Sequence, residues 1–210
     1  TSTGQSFSGN GLDGLEVCMA QVEALPYATS YIKTEGSTVT READEVSNGG
    51  QSQDFDSQIG QIMFQGKSHR NDGSEKYFSI SDGSSANELL IGYGSTQNQL
   101  DFGFTQSSSS EYSDSFNVDD ETDFNKVAFE YSSGGIKAWI NGVLADENFS
   151  LTVPGANTFD TFNFSDGVGS NNYYGWTRKL FYLPNQTESM EELTAFTQDE
   201  LISTFNLTVL

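Results

Sequence analysis

Cysteine is all but missing from this chain: Cys18 stands alone among 210 residues. A single thiol excludes an intrachain disulfide framework and any zinc centre built from several thiolates, and it leaves Cys18 as a small buried hydrophobe. Histidine is as scarce. His69, within KSHRND, reads as an exposed residue at a polar hairpin tip, so the serine-rich segments lack the base that a nucleophilic triad requires. No apolar run reaches the ~18 residues of a membrane-crossing helix, and no membrane insertion is expected. Positive charge is also short: 9 Lys and Arg face 30 Asp and Glu, a net charge of −21. Such a chain repels a phosphate backbone, which excludes a nucleic-acid partner. The acidity itself has two open readings, solubility by self-repulsion or divalent-cation sites. The first residue is Thr1 and no charged-then-apolar leader follows, the pattern of a fragment or a processed product.

What the chain does contain is β-forming and aromatic: 16 Phe and 9 Tyr, with 21 Gly and only 3 Pro. That composition and length suit one all-β sandwich with a core of Phe, Tyr, Ile, Leu and Val on short strands. The clearest stretch is 124–149. There Val127-Phe129-Tyr131 and Ile136-Ala138-Ile140 alternate on either side of Ser132-Ser133-Gly134-Gly135, and Asn141-Gly142 then turns the chain into Val143-Leu144-Ala145. Three antiparallel strands are expected, with Trp139 among the fold residues. Further strands are expected at 58–65, 76–81, 88–93, 99–105 and 175–183, each bounded by Gly, Ser, Asn and Asp clusters. The run 107–115 (SSSSEYSDS) reads as a loop and 118–124 as an acidic bend. Phenylalanines on both faces of 158–165 suggest a central strand buried on both sides. Thr187 or Ser189 can cap a short helix over 187–196, with Glu188, Glu191 and Glu192 in its first turn. The ends are simpler: residues 1–47 form an extended arm with one strand at 15–22, residues 48–210 the sandwich, and 201–210 a β-compatible tail.

Two resemblances follow from particular residues. Ala20-Gln21-Val22-Glu23, then 27–34 (YATSYIKT), then Thr40-Arg41-Glu42-Ala43-Asp44 resemble a connector found in phage tail and virion proteins and some bacterial surface proteins. There it follows a carbohydrate-binding-module-like sandwich, which implies that the strand at 15–22 completes an upstream sheet. Lys33 stands where that family usually has Pro. The second half is similar to concanavalin A-like lectin/glucanase domains of the laminin-G-like subgroup, through 125–129 (NKVAF), 136–143 ending in Asn141-Gly142-Val143, 175–184 (GWTRKLFYLP) and 191–197 (EELTAFT). This resemblance implies a two-sheet antiparallel jelly-roll used for glycan binding, adhesion or structure.

Glucanases share that fold, but their Glu-x-Asp-x-x-Glu signature is absent, and the acid clusters at 54–56, 111–114 and 119–123 fall in expected loops. The arginine, glutamine, histidine and tyrosine set of alginate lyases lacks a histidine on a sheet face. No enzyme is expected. Sugar binding requires aromatic faces for stacking and amide or carboxylate hydrogen bonds. The loop 166–176 (DGVGSNNYYGW) supplies Asn171, Asn172, Tyr173, Tyr174 and Trp176, and 106–116 supplies Tyr112 with Glu111 and Asp114. Asp119, Asp120 and Asp123 are the candidate calcium ligands, calcium being the sole cofactor considered. Sequons at Asn148, Asn163, Asn185 and Asn206 matter only in a eukaryotic secretory host.

The expectation is therefore an extracellular, non-catalytic domain of a phage virion or tail appendage that binds host-surface carbohydrate. Its partners would be other virion subunits and copies of itself, a trimer by analogy with phage fibres. The alternative is a purely structural decoration of capsid or tail, and a polysaccharide-degrading enzyme comes third.

Overall fold

The structure, a computed structural model, describes residues 21–22, 31–39, 49–185 and 188–195. The chain divides into two compact units, Thr1–Asp44 and Glu45–Leu210. In the first, the Ile32 N–H donates to Gln21 Oε1 at 2.6 Å and Lys33 pairs with Glu35. The strand expected at 15–22 lies outside the described residues except for Gln21 and Val22, as do Cys18, most of the connector and the tail at 201–210.

The second unit is a sandwich of two five-stranded antiparallel sheets, a jelly-roll. Its strands are β1 (Ile59–Ser68), β2 (Lys76–Ser81), β3 (Glu88–Tyr93), β4 (Gln99–Gln106), β5 (Ser109–Asn117), β6 (Asn125–Ser132), β7 (Gly135–Ile140), β8 (Val143–Asn148), β9 (Thr161–Asn163) and β10 (Gly175–Leu183). One sheet has the order β10-β1-β6-β7-β8 and the other β5-β4-β3-β2-β9. The expected hairpins form. Val127 faces Ile140 and Ser132 faces Gly135 across β6 and β7. Asn141 and Gly142, at φ 51° and 85°, make the following turn, whose strand-matched twist needs left-handed backbone at both positions.

Alternation sends one side of each strand inward. Ile62 and Phe64 of β1, Val127, Phe129 and Tyr131 of β6 meet Phe78, Ile80, Leu89, Ile91, Tyr93, Phe102 and Phe104 of the facing sheet, all buried. Aromatic pairs bridge the layers: Phe102 stacks on Phe129 at 5.7 Å between centroids and Phe104 lies 5.3 Å from Tyr131. Each such ring contributes roughly 1.5–3 kcal/mol by leaving water. On the outer side of the first sheet Met63, Ala128 and Met190 form a smaller cluster with Trp139, Phe181 and Leu193.

Three expectations are corrected. Of the run 107–115 expected as a loop, only Ser107 and Ser108 form a turn, at φ 48° and 65°; from Ser109 onward the chain is edge strand β5. Only Tyr112 and Phe116 face inward, and a bulge at Glu111 shifts the register, so apolar alternation is too sparse to read. The stretch 158–165 is not a central strand. Only Thr161–Asn163 pairs, at the sheet edge beside β2, with a bridge from Gly49 to Phe162 on its far side. Its aromatics reach the core by different routes, because Phe159 is turned inward ahead of the strand while Ser57 Oγ accepts both the Thr158 and Phe159 N–H groups. The helix is shorter than 187–196: α1 is Met190–Thr194, capped by Ser189, whose Oγ accepts the Glu192 N–H.

Candidate functional site

The candidate loop between β9 and β10 is built around one carboxylate. Asp166 Oδ1 accepts the Ser170 N–H at 2.6 Å, and its Oδ2 accepts the Asn171 side-chain amide at 3.1 Å. The loop also seals the second sheet, since Tyr77 N–H donates to the Asn171 carbonyl at 2.9 Å and Gly167 N–H donates to Glu88. Burial raises the Glu88 pKa above the usual glutamate value, with Asp166 and Asp82 adding to the shift against the Gly167 hydrogen bond.

The structure separates the residues that the sequence grouped. Tyr173 points inward. Its ring meets Phe64 edge-on at 5.3 Å and its hydroxyl donates to the Lys67 carbonyl at 3.0 Å. Gly66 makes room for it: a Cβ there would lie 2.7 Å from that hydroxyl and 2.1 Å from the Phe64 ring. Burial pushes the Tyr173 hydroxyl well above its ordinary pKa, so it stays protonated and structural. Asn171 is exposed, but its amide is engaged with Asp166; Asn172 is exposed and bridges to Tyr77 through backbone. Tyr112 lies on another strand at 7% exposure, with its ring against Phe129 and its hydroxyl on Asp146 Oδ2 at 3.0 Å. Neither Tyr112 nor Tyr173 offers a free face.

Tyr174 and Trp176 do, at 47% and 56% exposure. Two residues apart on extended backbone, they share one side, and β1 fixes both. Trp176 is the register partner of Lys67, and the Tyr174 carbonyl accepts the His69 N–H at 3.2 Å. His69, expected at an exposed hairpin tip, is half-buried instead, with its ring against Trp176 at 5.8 Å and 70°. Burial, then Lys67, lower its pKa and favour the neutral ring. Sequence reasoning missed three neighbours, Lys67, Arg178 and Phe124. Arg178 lies over the Phe124 ring at 3.7 Å and Lys67 over it at 5.2 Å, a contact between strands that sequence separation conceals.

The acidic bend has other duties. Asp120 Oδ1 accepts the N–H and hydroxyl of Thr122, both at 2.7 Å, and Asn125 donates to the carbonyls of Asp120 and Asp123. Glu121, buried, takes the Asn98 N–H at 2.9 Å and lies 3.4 Å from the Lys76 ammonium. Among the described residues no group of three or more His, Cys, Asp or Glu is placed to hold a metal ion, so Asp119, Asp120 and Asp123 do not converge. A cavity of about 200 Å³ opens between Phe55, Ile62, Ile80, Phe162, Leu180 and Tyr182. The Tyr182 hydroxyl donates to the Asp56 carbonyl and the lining is mostly apolar, a poor match for a sugar's hydroxyls.

No protein-family model matches the chain, and no curated protein matches it in sequence. Solved structures do match. The CBM40 of the Ruminococcus gnavus IT-sialidase bound to α2,3-sialyllactose has a TM-score of 0.55 at 12% identity, over 74% of this chain and 97% of that one. The same module solved as CBM40 alone has a TM-score of 0.53 at 13% identity, over 74% and 98%. The heptameric SAP-like pentraxin of Limulus polyphemus has a TM-score of 0.52 at 11% identity, over 70% and 72%. At such identities the likeness is one of fold, and the chain is a jelly-roll sandwich of the architecture those structures share.

Proposed function

We propose that this is a non-catalytic carbohydrate-binding domain, carried by a phage virion or tail appendage and directed at glycans of a host cell surface. The observation that carries the reading is the exposed Tyr174–Trp176 pair, locked to β1 and flanked by His69. Sugar rings present C–H faces that stack on such aromatics, and a preset platform loses little entropy on binding. The architecture shared with the Ruminococcus carbohydrate-binding module, itself seen with a bound saccharide, supports the same reading. The phage setting rests on the resemblances of 20–44 and 125–197. A binding rather than catalytic role is supported by the structural engagement of the buried carboxylates, Glu88 by the Gly167 N–H and Glu121 by the Asn98 N–H and the Lys76 ammonium.

A glycan array followed by titration of the strongest ligand tests this. Trp176→Ala and Tyr174→Ala should each weaken binding by about 1 kcal/mol, roughly fivefold in Kd, with an unchanged unfolding midpoint. Full binding by the double variant, or no binding to any saccharide, refutes the proposal.

A further inference from the structure

The distribution of positive charge on this acidic chain is uneven. Among the described residues, Lys33, Arg70, Lys76 and Lys137 each lie against a carboxylate, namely Glu35, Asp72, Asp72 with Glu121, and Glu147. Lys126 donates to the Ala195 carbonyl at 2.7 Å. Lys67, Arg178 and Lys179 form no ion pair among the described residues, although the chain carries 30 acidic side chains. All three fall on one patch. Lys67 is the register partner of Trp176, Gln65 is the partner of Lys179, and Arg178 is the extra residue of the bulge between them.

The Phe124 ring carries two of these cations at once, Arg178 at 3.7 Å and Lys67 at 5.2 Å. Two like charges on one ring repel, and in water an ordinary surface would relieve this with a nearby carboxylate. The exposed acid nearest in sequence, Asp123, makes no such pair. Stacking occupies one face of the guanidinium and leaves its edge of N–H donors open, the geometry that takes a carboxylate or sulfate in two parallel hydrogen bonds. Trp176, exposed beside Lys67, supplies the stacking surface for the attached sugar.

We infer that the Trp176 site selects acidic saccharides, with the carboxylate or sulfate received between Lys67 and Arg178 and the sugar ring resting on Trp176. The inference rests on the glycan-binding reading above and narrows it to a ligand class. Long-range repulsion from the net charge of −21 opposes such a ligand, so recognition is confined to contact range, within a Debye length of about 8 Å at physiological salt.

Calorimetric titration of the intact chain with matched pairs is the test: oligogalacturonate against its methyl ester for a carboxylate, dextran sulfate against dextran for a sulfate. One acidic member should bind at least about tenfold more tightly than its neutral partner at physiological salt. Lys67→Gln with Arg178→Gln should abolish that preference while sparing binding to any neutral glycan recognised on an array; Trp176→Ala should weaken both. Equal affinity within both pairs, or a preference that survives the double substitution, overturns this inference and leaves glycan binding standing. Failure to bind any saccharide, acidic or neutral, removes the glycan reading and this inference with it.

Discussion

Two carboxylates of opposite behaviour, buried Glu88 and exposed Asp72, set the pH response of single residues. Burial raises the Glu88 pKa, so the folded state holds a proton that the unfolded chain releases from the ordinary glutamate value upward. Stability must therefore fall as pH rises through that window, and above it the ionised Glu88 is a standing cost. Glu88→Gln, which can still accept the Gly167 N–H, should unfold at a higher temperature than the native chain at pH 8 and at the same temperature at pH 3. Asp72 runs the other way. Burial opposes its ionisation, but hydrogen bonds from Ser74 and the Lys76 ammonium outweigh it and bring the pKa down to about 2. Its stabilisation is present above the ordinary aspartate value of about 3.9 and disappears as pH falls through about 2. Asp72→Asn should destabilise at pH 7 and be neutral at pH 2, as measured by thermal unfolding across the range. At this scale the sequence was a partial guide to the site. Tyr174 and Trp176 were legible as aromatic, polar-flanked positions, whereas nothing in the order of letters separates them from Tyr173 and Tyr112. Which tyrosine turns inward depends on Gly66 opening space beside Phe64 and on Phe129 lying under β5.

The elements show where pattern is sufficient. β2, β3 and β10 occur at the bounds expected from alternation and turn chemistry, and the β6–β7–β8 meander follows its Gly-rich and Asn-Gly turns. The glycines there differ in kind. Gly83, at φ 77°, has open space around it, so Gly83→Ala should cost only the left-handed backbone penalty of about 1 kcal/mol. Gly135, at φ 127°, is different: a Cβ would lie 1.8 Å from the Asn148 carbonyl, which belongs to the partner strand β8. Gly135→Ala should cost more than about 3 kcal/mol, since the strained backbone and the displaced β8 terminus add. Urea unfolding of the two variants side by side would reveal the difference; equal losses would mean that β8 yields freely. Pattern was insufficient for β5 and β9 because edge strands bury few residues. A strand with two inward side chains and a bulge has no period to detect, and a three-residue strand depends on its neighbour β2 to exist at all.

The whole molecule carries −21, a charge that presses the folded chain apart. Raising sodium chloride from about 10 mM to about 0.5 M shortens the Debye length from about 30 Å to a few ångströms and should raise the unfolding temperature by several degrees. A midpoint that falls with salt would show that surface ion pairs such as Lys137–Glu147 outweigh the repulsion. At this scale the sequence by itself determined the class of fold, since alternating aromatic strands and tight turns read as an all-β sandwich, with the two-sheet jelly-roll implied by the resemblance of 125–197. It also determined the sign of the surface and the absence of a thiol framework. The tertiary structure decided which residues meet. The Phe124 ring gathers Lys67 and Arg178, Glu121 is buried against Lys76, and Trp176 stays open while Tyr173 closes the core. These are pairings between strands distant in sequence, and periodicity within a strand says which side a residue faces but not what lies across from it.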